Sequence, residues 1–189
     1  MTFSTMSTFF AIAALFANVA TVGLVVVGIA GRRPGVSPFE FLRGATLWLA
    51  AGVATAAMLG SLYLSEIAHL IPCRYCWYQR IAMYPLAIIL LIAAFRKDGF
   101  IRLYAATLAT IGVVIAVYHR FIQAFPDLDA GSCAATGPAC SAALILKFGF
   151  VSIPYMSASA FLLILTLLWA DRANDKISQV SIEPGTESA

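Results

Sequence analysis

Charged residues are scarce in this sequence. Asp, Glu, Lys and Arg make up 11% of its 189 residues, whereas a soluble domain carries about 25%. The charges that are present collect between long uncharged runs. This is the pattern of a chain whose runs lie in hydrocarbon, where ionic groups are costly. The scarcity of charge therefore excludes an ordinary soluble domain.

A basic surface for nucleic acid is also absent from the sequence. The net charge is only +3, no run of Lys and Arg forms a patch, and the aromatic residues stand among aliphatic ones. A nucleic-acid-binding domain instead gathers Lys and Arg on one face or along one helix. We therefore expect no nucleic-acid partner.

Five long apolar segments fill most of the sequence. They cover approximately residues 8–30, 45–64, 81–95, 103–118 and 151–170. About 20 apolar residues span a hydrocarbon core, and a segment in lipid satisfies its own backbone polar groups by forming a helix. We predict an all-α integral membrane protein with five transmembrane helices. The first segment is too long and too uncharged at its start for a signal peptide, so we expect it to be retained.

The basic residues of the loops predict the orientation, because short cytoplasmic loops carry an excess of Lys and Arg. One side of the predicted membrane holds Arg32, Arg33, Arg43, Arg96, Lys97, Arg102, Arg172 and Lys176, and the other holds Arg74, Arg80, Arg120 and Lys147. The first side is therefore cytoplasmic. The N-terminus then lies outside, and the polar tail, residues 171–189, lies inside and is expected to be disordered.

Cysteines are few, but the four present form two close pairs, Cys73 with Cys76 and Cys133 with Cys140. The first pair lies just before the third predicted helix, and the second lies between the fourth and the fifth. The predicted orientation puts both pairs outside the cytoplasm, where disulfides form and persist. The even count and the compartment indicate thiol–disulfide chemistry.

The first pair is a Cys-x-x-Cys motif at the start of a helix. This motif lowers thiolate pKa, and the amides of a helix N-terminus stabilise negative charge further. Arg80 follows Cys76 by one helical turn on the same face, where it can hold a thiolate or polarise a bound oxidant. Two alternatives stay open: a structural disulfide, although so small a loop adds little stability, and a zinc site completed by the second pair, His69 or His119.

The second pair lies in a loop rich in turn-forming residues. Its spacing suits a small disulfide ring that an incoming thiolate attacks, with a structural staple as the alternative. Two pairs on one face favour a relay that carries electrons from a soluble dithiol to an acceptor other than a protein thiol. Trp77, Tyr78 and Tyr84 follow the first pair at the membrane, so a lipid-soluble quinone is a suitable acceptor.

The run from Cys73 to Pro85, CRYCWYQRIAMYP, resembles the DsbB family of disulfide bond formation proteins, in particular its BdbC-like branch. The run YHRFIQ at residues 118–123 is similar to the segment that ends the family's third core helix. The resemblance covers about residues 45–170. It implies a four-helix transmembrane bundle over this range, to which residues 1–44 add one extra N-terminal transmembrane helix and a cytoplasmic loop.

The resemblance also implies roles for individual residues. A quinone, either ubiquinone or menaquinone, would bind beside the first pair, supported by Arg80 and adjacent to Cys76. Cys133 would form a mixed disulfide with a thioredoxin-fold partner resembling DsbA or BdbD. His119 would lie near the quinone, with a hydrogen bond at the lipid headgroups as the alternative. The loop before Cys140 is shorter than in enteric members, which leaves open which of its two cysteines is attacked.

These features together predict a membrane thiol:quinone oxidoreductase of the bacterial cytoplasmic membrane that reoxidises its partner and supports disulfide bond formation. The predicted catalytic residues are Cys73, Cys76, Cys133 and Cys140, and no metal is expected. A transmembrane reductant carrier would need cysteines on both faces, which this sequence lacks. The remaining alternative is a metal-binding or structural membrane protein whose disulfides are not catalytic.

Overall fold

A computed structural model describes residues 3–31, 38–128 and 138–182 of the chain, with side chains as far as residue 175. Its helices are α1 (Phe3–Ala30), α2 (Thr46–Leu62), α3 (Arg74–Arg96), α4 (Ile101–Ala124) and α5 (Ile153–Ile182). By length and composition, all five are long and apolar enough to cross a membrane. The predicted fold class, an all-α membrane bundle with an extra N-terminal helix, is confirmed.

Short elements connect these helices. A π-helical turn, Tyr63–Ile67, continues α2, and 3-10 turns occupy Glu40–Leu42 and Pro126–Leu128. A small antiparallel hairpin, β1 (Leu146–Lys147) and β2 (Val151–Ser152), leads into α5. The sequence does not predict this hairpin, because strands of two residues leave no alternating pattern to recognise.

Small side chains allow α2 to α5 to pack closely around one core. The buried core includes Ala50, Ala51, Ala54, Leu86, Ala87, Leu90, Ala105, Ala109, Phe161 and Ile164. Lipid tails are as apolar as leucine, so helices in a membrane are held together mainly by close van der Waals packing. Gly112 marks one such approach between α4 and α5, because a Cβ atom there would lie 2.3 Å from the Phe161 ring.

The extra helix α1 packs along α5. The Asn18 side-chain amide donates a hydrogen bond to the Tyr155 hydroxyl at 2.9 Å. Further along α1, Gly28 lies so close to the rings of Trp169 and Phe39 that a Cβ atom would meet Trp169 at 2.2 Å. These contacts fix α1 against the bundle, although most of its remaining surface is exposed.

Ion pairs extend α5 beyond its expected end. We predicted loss of regular structure from Asp171 onward, but the helix continues to Ile182. Arg102 on α4 pairs with Asp171 at 3.0 Å and also with Asp175. These pairs neutralise two acidic side chains of α5 and hold the helix against α4 as far as Asp175. The final residues, 183–189, lie outside the described part of the chain.

Replacing Gly112 with Ala should destabilise the protein. The added methyl group would meet the fully buried Phe161 ring, and overpacking of this kind costs about 1–3 kcal/mol. Gly52→Ala on α2 is the matched control, since nothing lies within 4 Å of its Cβ position. Thermal unfolding in detergent measures the effect: Gly112→Ala should melt below both wild type and Gly52→Ala. Equal melting temperatures for the two variants would contradict this packing.

Candidate functional site

The first cysteine pair stands at the N-terminus of α3. Cys73 is the N-cap residue with an extended backbone (φ −70°, ψ 173°), and Cys76 follows in the first turn. Both are free thiols, with Cys73 buried and Cys76 partly exposed, and their Sγ atoms are 3.1 Å apart. The first amides of a helix have no partner within it, so this end of α3 favours negative charge.

The surroundings of Cys73 favour its thiolate. The hydrogen bond with Cys76, followed by the influence of the His119 ring, lowers the pKa of Cys73 to about 4, although burial acts in the opposite direction. An S–H group rotates freely, so the sulfur–sulfur contact alone leaves either thiol as the donor. His119 Nε2, 3.5 Å from the Cys73 Sγ atom, favours Cys73 as the charged partner and Cys76 as the donor.

His119 on α4 contacts both cysteine pairs. Its ring is buried, and the Gln79 side-chain nitrogen lies 3.1 Å from Nδ1. Because the amide nitrogen donates, Nδ1 accepts and Nε2 carries the hydrogen. Nε2 lies 3.1 Å from the Cys140 backbone oxygen and 3.5 Å from the Cys73 Sγ atom. A single N–H group is therefore directed at the junction of the two pairs.

The fold brings a member of the second pair to the first pair. Cys140 is fully buried and disulfide-bonded. It packs with Cys73 in a small buried cluster, with Tyr75 and Cys76 at the edge. Cys133, the other predicted member of the second pair, lies outside the described residues. The short loop before Cys140 therefore does not hold this cysteine away from the first pair.

Arg80 lies one turn of α3 beyond Cys76. Its Nε and Nη2 atoms donate to the hydroxyl and the backbone oxygen of Ser61, both at 2.9 Å. Its guanidinium lies 5.3 Å from the centre of the Trp77 ring. Ser61 comes just before the π-helical turn of α2, and such turns are frequent at functional sites. Arg80 thus ties α2 to α3 and keeps its positive charge near Cys76.

A cavity of about 730 Å³ opens beside this arginine, between α1, α2, α3 and α5. Cys76, Gln79, Arg80 and Tyr84 of α3 form part of its wall, and most of the remaining lining is apolar. Small-molecule sites typically have volumes of about 300–1,000 Å³. The Tyr84 hydroxyl is buried without a hydrogen-bond partner among the described residues. A buried polar group without a partner costs about 1–3 kcal/mol.

The predicted site residues therefore form two groups, which share Cys76. Cys76 and Arg80 line the large cavity. Cys73, His119 and Cys140 meet at the buried contact. His119 contacts the cysteines, Gln79 and the Tyr75 ring, and it is not among the residues that line the large cavity. Its position near the quinone stays a prediction.

The sequence did not single out two polar residues of the site, Ser61 and Gln79. A signal for Gln79 existed, because a residue three positions after Cys76 lies on the same face of the helix. Ser61 lies within a long apolar segment, and only the packing of α2 on α3 brings it to Arg80.

Three residues of the site also offer metal ligands. The donor atoms of Cys73, Cys76 and His119 lie within 4.8 Å of one another. A structural zinc site has four protein ligands. No fourth His, Cys, Asp or Glu among the described residues joins this group, and His69 is not part of it. Within the described part of the chain, the group is therefore one ligand short of a closed zinc site.

The chain matches the family model for the disulfide bond formation protein DsbB over residues 43–170. "Probable disulfide formation protein C 2" of Bacillus anthracis is 47% identical over 64% of this chain and 85% of the relative. "Disulfide bond formation protein C" of Bacillus subtilis is 45% identical over 61% and 84% of the two chains. "Probable disulfide formation protein" of Coxiella burnetii is 38% identical over 66% and 86%. No solved structure matches the chain significantly.

The matched range begins just before α2 and ends within α5, so it contains both cysteine pairs, Arg80 and His119. It leaves out α1. The family and the five apolar helices agree on a membrane location. The chain is a membrane protein that belongs to the DsbB family of disulfide bond formation proteins, in its BdbC-like branch.

Proposed function

We propose that this protein is a membrane thiol:quinone oxidoreductase that reoxidises a thioredoxin-fold dithiol partner resembling DsbA or BdbD. It thereby supports disulfide bond formation outside the cytoplasm. The observation that carries the proposal is that the first cysteine pair faces two ways. Cys73 packs against Cys140, whereas Cys76 lines the large cavity beside Arg80. A pair in this position can receive electrons on one side and release them on the other.

The cavity fits a quinone. Its apolar walls suit a lipid-soluble molecule, Arg80 supplies positive charge, and the Tyr84 hydroxyl is a donor that no described residue uses. Ubiquinone and menaquinone share the carbonyl oxygens that these groups would bind. When bound, a quinone supplies the two-electron, two-proton acceptor that protein side chains lack. The residues of this chain bind it, orient it and hold Cys76 in the wall.

We assign the exchange steps to the second pair first. The partner's thiolate attacks Cys133 and breaks a Cys133–Cys140 disulfide. The partner's second thiol resolves the mixed disulfide, so that the partner leaves oxidised and both cysteines are reduced. In the state of the protein in which the first pair is oxidised, the Cys140 thiolate then attacks Cys73, breaks the Cys73–Cys76 disulfide and releases Cys76 as a thiolate in the cavity wall. Cys133 next attacks Cys140, which restores the second disulfide and releases Cys73. The two electrons left on the first pair would pass to the quinone, which would restore the Cys73–Cys76 disulfide.

Two side chains stabilise the sulfurs that become charged in these steps. The Nε2–H group of His119 faces Cys73, and Arg80 holds its charge near Cys76. A thiol of low pKa is a good leaving group in disulfide exchange. Cys73 is therefore suited to leave Cys140 in the last exchange, and Cys76 is suited to carry charge while Cys73 is bonded to Cys140.

We place the protein in the bacterial cytoplasmic membrane, with its cysteines on the outer face, its N-terminus outside and its C-terminus inside. The packing supports this orientation. The first pair lies at the beginning of α3 and contacts the end of α4 through His119. Arg96 and Arg102 lie at the opposite ends of these two helices, as an excess of basic residues on the cytoplasmic side requires.

Replacing Cys76 with Ser should abolish quinone reduction, because the exchange could no longer release a thiolate into the cavity. Arg80→Ala should lower the rate about tenfold to a hundredfold, since hydrogen bonds to charged groups contribute about 1.5–3 kcal/mol. Arg74→Ala removes the same charge from an exposed position next to the pair and should stay near wild type. The assay follows quinone absorbance after addition of a reduced thioredoxin-fold dithiol.

Wild-type activity in Cys76→Ser would refute the proposed exchange.

A second candidate function, metal binding with unreactive cysteines, is favoured by the close donor atoms of Cys73, Cys76 and His119. Elemental analysis of the purified protein separates the two candidates. Stoichiometric zinc together with no quinone reduction by wild type would replace the oxidoreductase proposal with the metal-binding one.

Tyr84→Phe should weaken quinone binding without destabilising the protein. The hydroxyl has no described protein partner, so its removal breaks no bond within the fold, whereas a lost hydrogen bond of about 0.5–1.5 kcal/mol raises the quinone KM about twofold to tenfold. Tyr104→Phe, at an exposed position on α4, is the control. A fall in melting temperature with an unchanged KM would show that the hydroxyl serves the fold instead.

The reduced first pair should hold a thiolate well below neutral pH. Because the pKa of Cys73 is lowered to about 4, its alkylation rate should change little between about pH 6 and pH 8 and fall only in more acidic solution, toward that pKa. His119→Ala should move the midpoint upward, since it removes a group that favours the thiolate. Alkylation is followed by mass spectrometry in a Cys133→Ser, Cys140→Ser background. A midpoint near the ordinary value of 9.0 in both proteins would contradict the assignment.

A further inference from the structure

The large cavity has a wall that lies outside the family match. Ala13, Phe16, Ala17 and Ala20 of α1 line it, while the matched range begins at residue 43. We propose that α1 binds the lipophilic side chain of the quinone and thereby determines which quinones this protein accepts. This inference rests on the proposed function, but it concerns an element that the two cysteine pairs do not require.

The α1 part of the lining is entirely apolar, whereas the other helices contribute both polar and apolar residues. The lining residues of α1 are only Phe, Ile and Ala, whereas the polar ones lie on other helices: Ser61 on α2, Gln79, Arg80 and Tyr84 on α3, and Ser157 on α5. A quinone ring has two carbonyl oxygens that need polar partners, and its isoprenoid chain needs only apolar surface. The ring is therefore suited to the α3 side, next to Cys76, and the chain to the α1 side.

Small residues on two helices produce the width of the cavity. Ala13, Ala17 and Ala20 follow a spacing of four and three residues, which puts them on one face of α1. Ala56 and Ala57 of α2 line the same cavity. Larger side chains at these positions would fill the space, so the width depends on side-chain size at a few positions of α1.

Contacts with α5 and with the end of α2 hold α1 in its position beside the cavity. The Asn18 side chain bonds to Tyr155 on α5 at 2.9 Å. Near the outer end, the Phe10 ring lies edge-on to Tyr63 with ring centres 6.1 Å apart, and it approaches the Cβ position of Gly60 to 3.1 Å. The α1 wall is therefore packed against the bundle on either side of the cavity, as a surface that selects ligands by size must be.

The experiment compares two acceptors in the full-length protein: a quinone with a long isoprenoid chain and the same ring without a chain. Ala13→Phe places a large ring in the cavity wall. Val19→Phe is the matched control, because Val19 lies on the same helix, is 70% exposed and does not line the cavity. Partner oxidation in a single turnover without quinone is measured alongside, since the inference leaves thiol exchange unchanged.

Ala13→Phe should raise the KM of the long-chain quinone at least about fivefold, a loss of about 1 kcal/mol of binding. The KM of the chainless ring and the single-turnover exchange should stay within about twofold of wild type, and Val19→Phe should match wild type throughout. An Ala13→Phe variant indistinguishable from Val19→Phe would overturn the inference, as would an equal loss for both acceptors. Failure of wild type to reduce either quinone would instead refute the proposed function.

A second measurement decides the question even if Ala13→Phe does not fold. A quinone with a photoreactive group at the end of its chain is cross-linked to the wild-type protein, and the labelled peptide is identified by mass spectrometry. Labelling of residues 3–31, suppressed by an excess of ordinary long-chain quinone, is the expected result. Labelling confined to α3, α4 or α5 would overturn the assignment of the chain to α1.

Discussion

The position of two sulfurs in the first turn of α3 is the constraint on which the rest of the site depends. Cys73 occupies the N-cap position and Cys76 follows within one turn, so their sulfurs lie 3.1 Å apart. The helix nevertheless presents them to different surroundings. Cys73 meets His119 and Cys140 in the buried junction. Cys76 lies at the edge of that junction and also lines the large cavity, which Cys73 does not. In the proposed reaction, the start of α3 would thus separate the entry of electrons from their exit within a single dithiol.

Because the interior of the bundle is apolar, each polar side chain at this site needs a structural partner or a function. Polar side chains are costly at membrane depth unless they are paired or functional. Arg80 is paired with Ser61, and His119 is paired with Gln79 and the Cys140 carbonyl. These pairs leave Arg80 and His119 fixed rather than free to follow a ligand. Both places have a buried polar atom without a partner among the described residues: the Tyr84 hydroxyl at the cavity and Gln123 Oε1 at the junction. The volume of about 730 Å³ is what makes the large cavity the proposed place for a bound acceptor.

The sequence was sufficient for features that depend on local spacing. Long uncharged runs predicted the helices, and the one-turn spacing of Cys76 and Arg80 predicted that they share a face. The sequence did not predict features that depend on packing between helices. The apolar residues of α1 lie all round the helix, and only Asn18 near its middle offers a signal for the face that meets α5. No pattern indicates which face lines the cavity. The Ser61 contact of Arg80 and the length of α5 likewise depend on neighbours distant in the chain, such as Arg102.

The central claim, that Cys73 faces the second pair while Cys76 faces the cavity, is tested most directly by disulfide trapping. One variant carries Cys76→Ser and Cys133→Ser and keeps Cys73 with Cys140; the other carries Cys73→Ser and Cys133→Ser and keeps Cys76 with Cys140. After mild oxidation, peptide mass spectrometry measures the disulfide in each. The account predicts efficient formation of Cys73–Cys140 and little Cys76–Cys140. Equal yields, or a preference for Cys76, would contradict it.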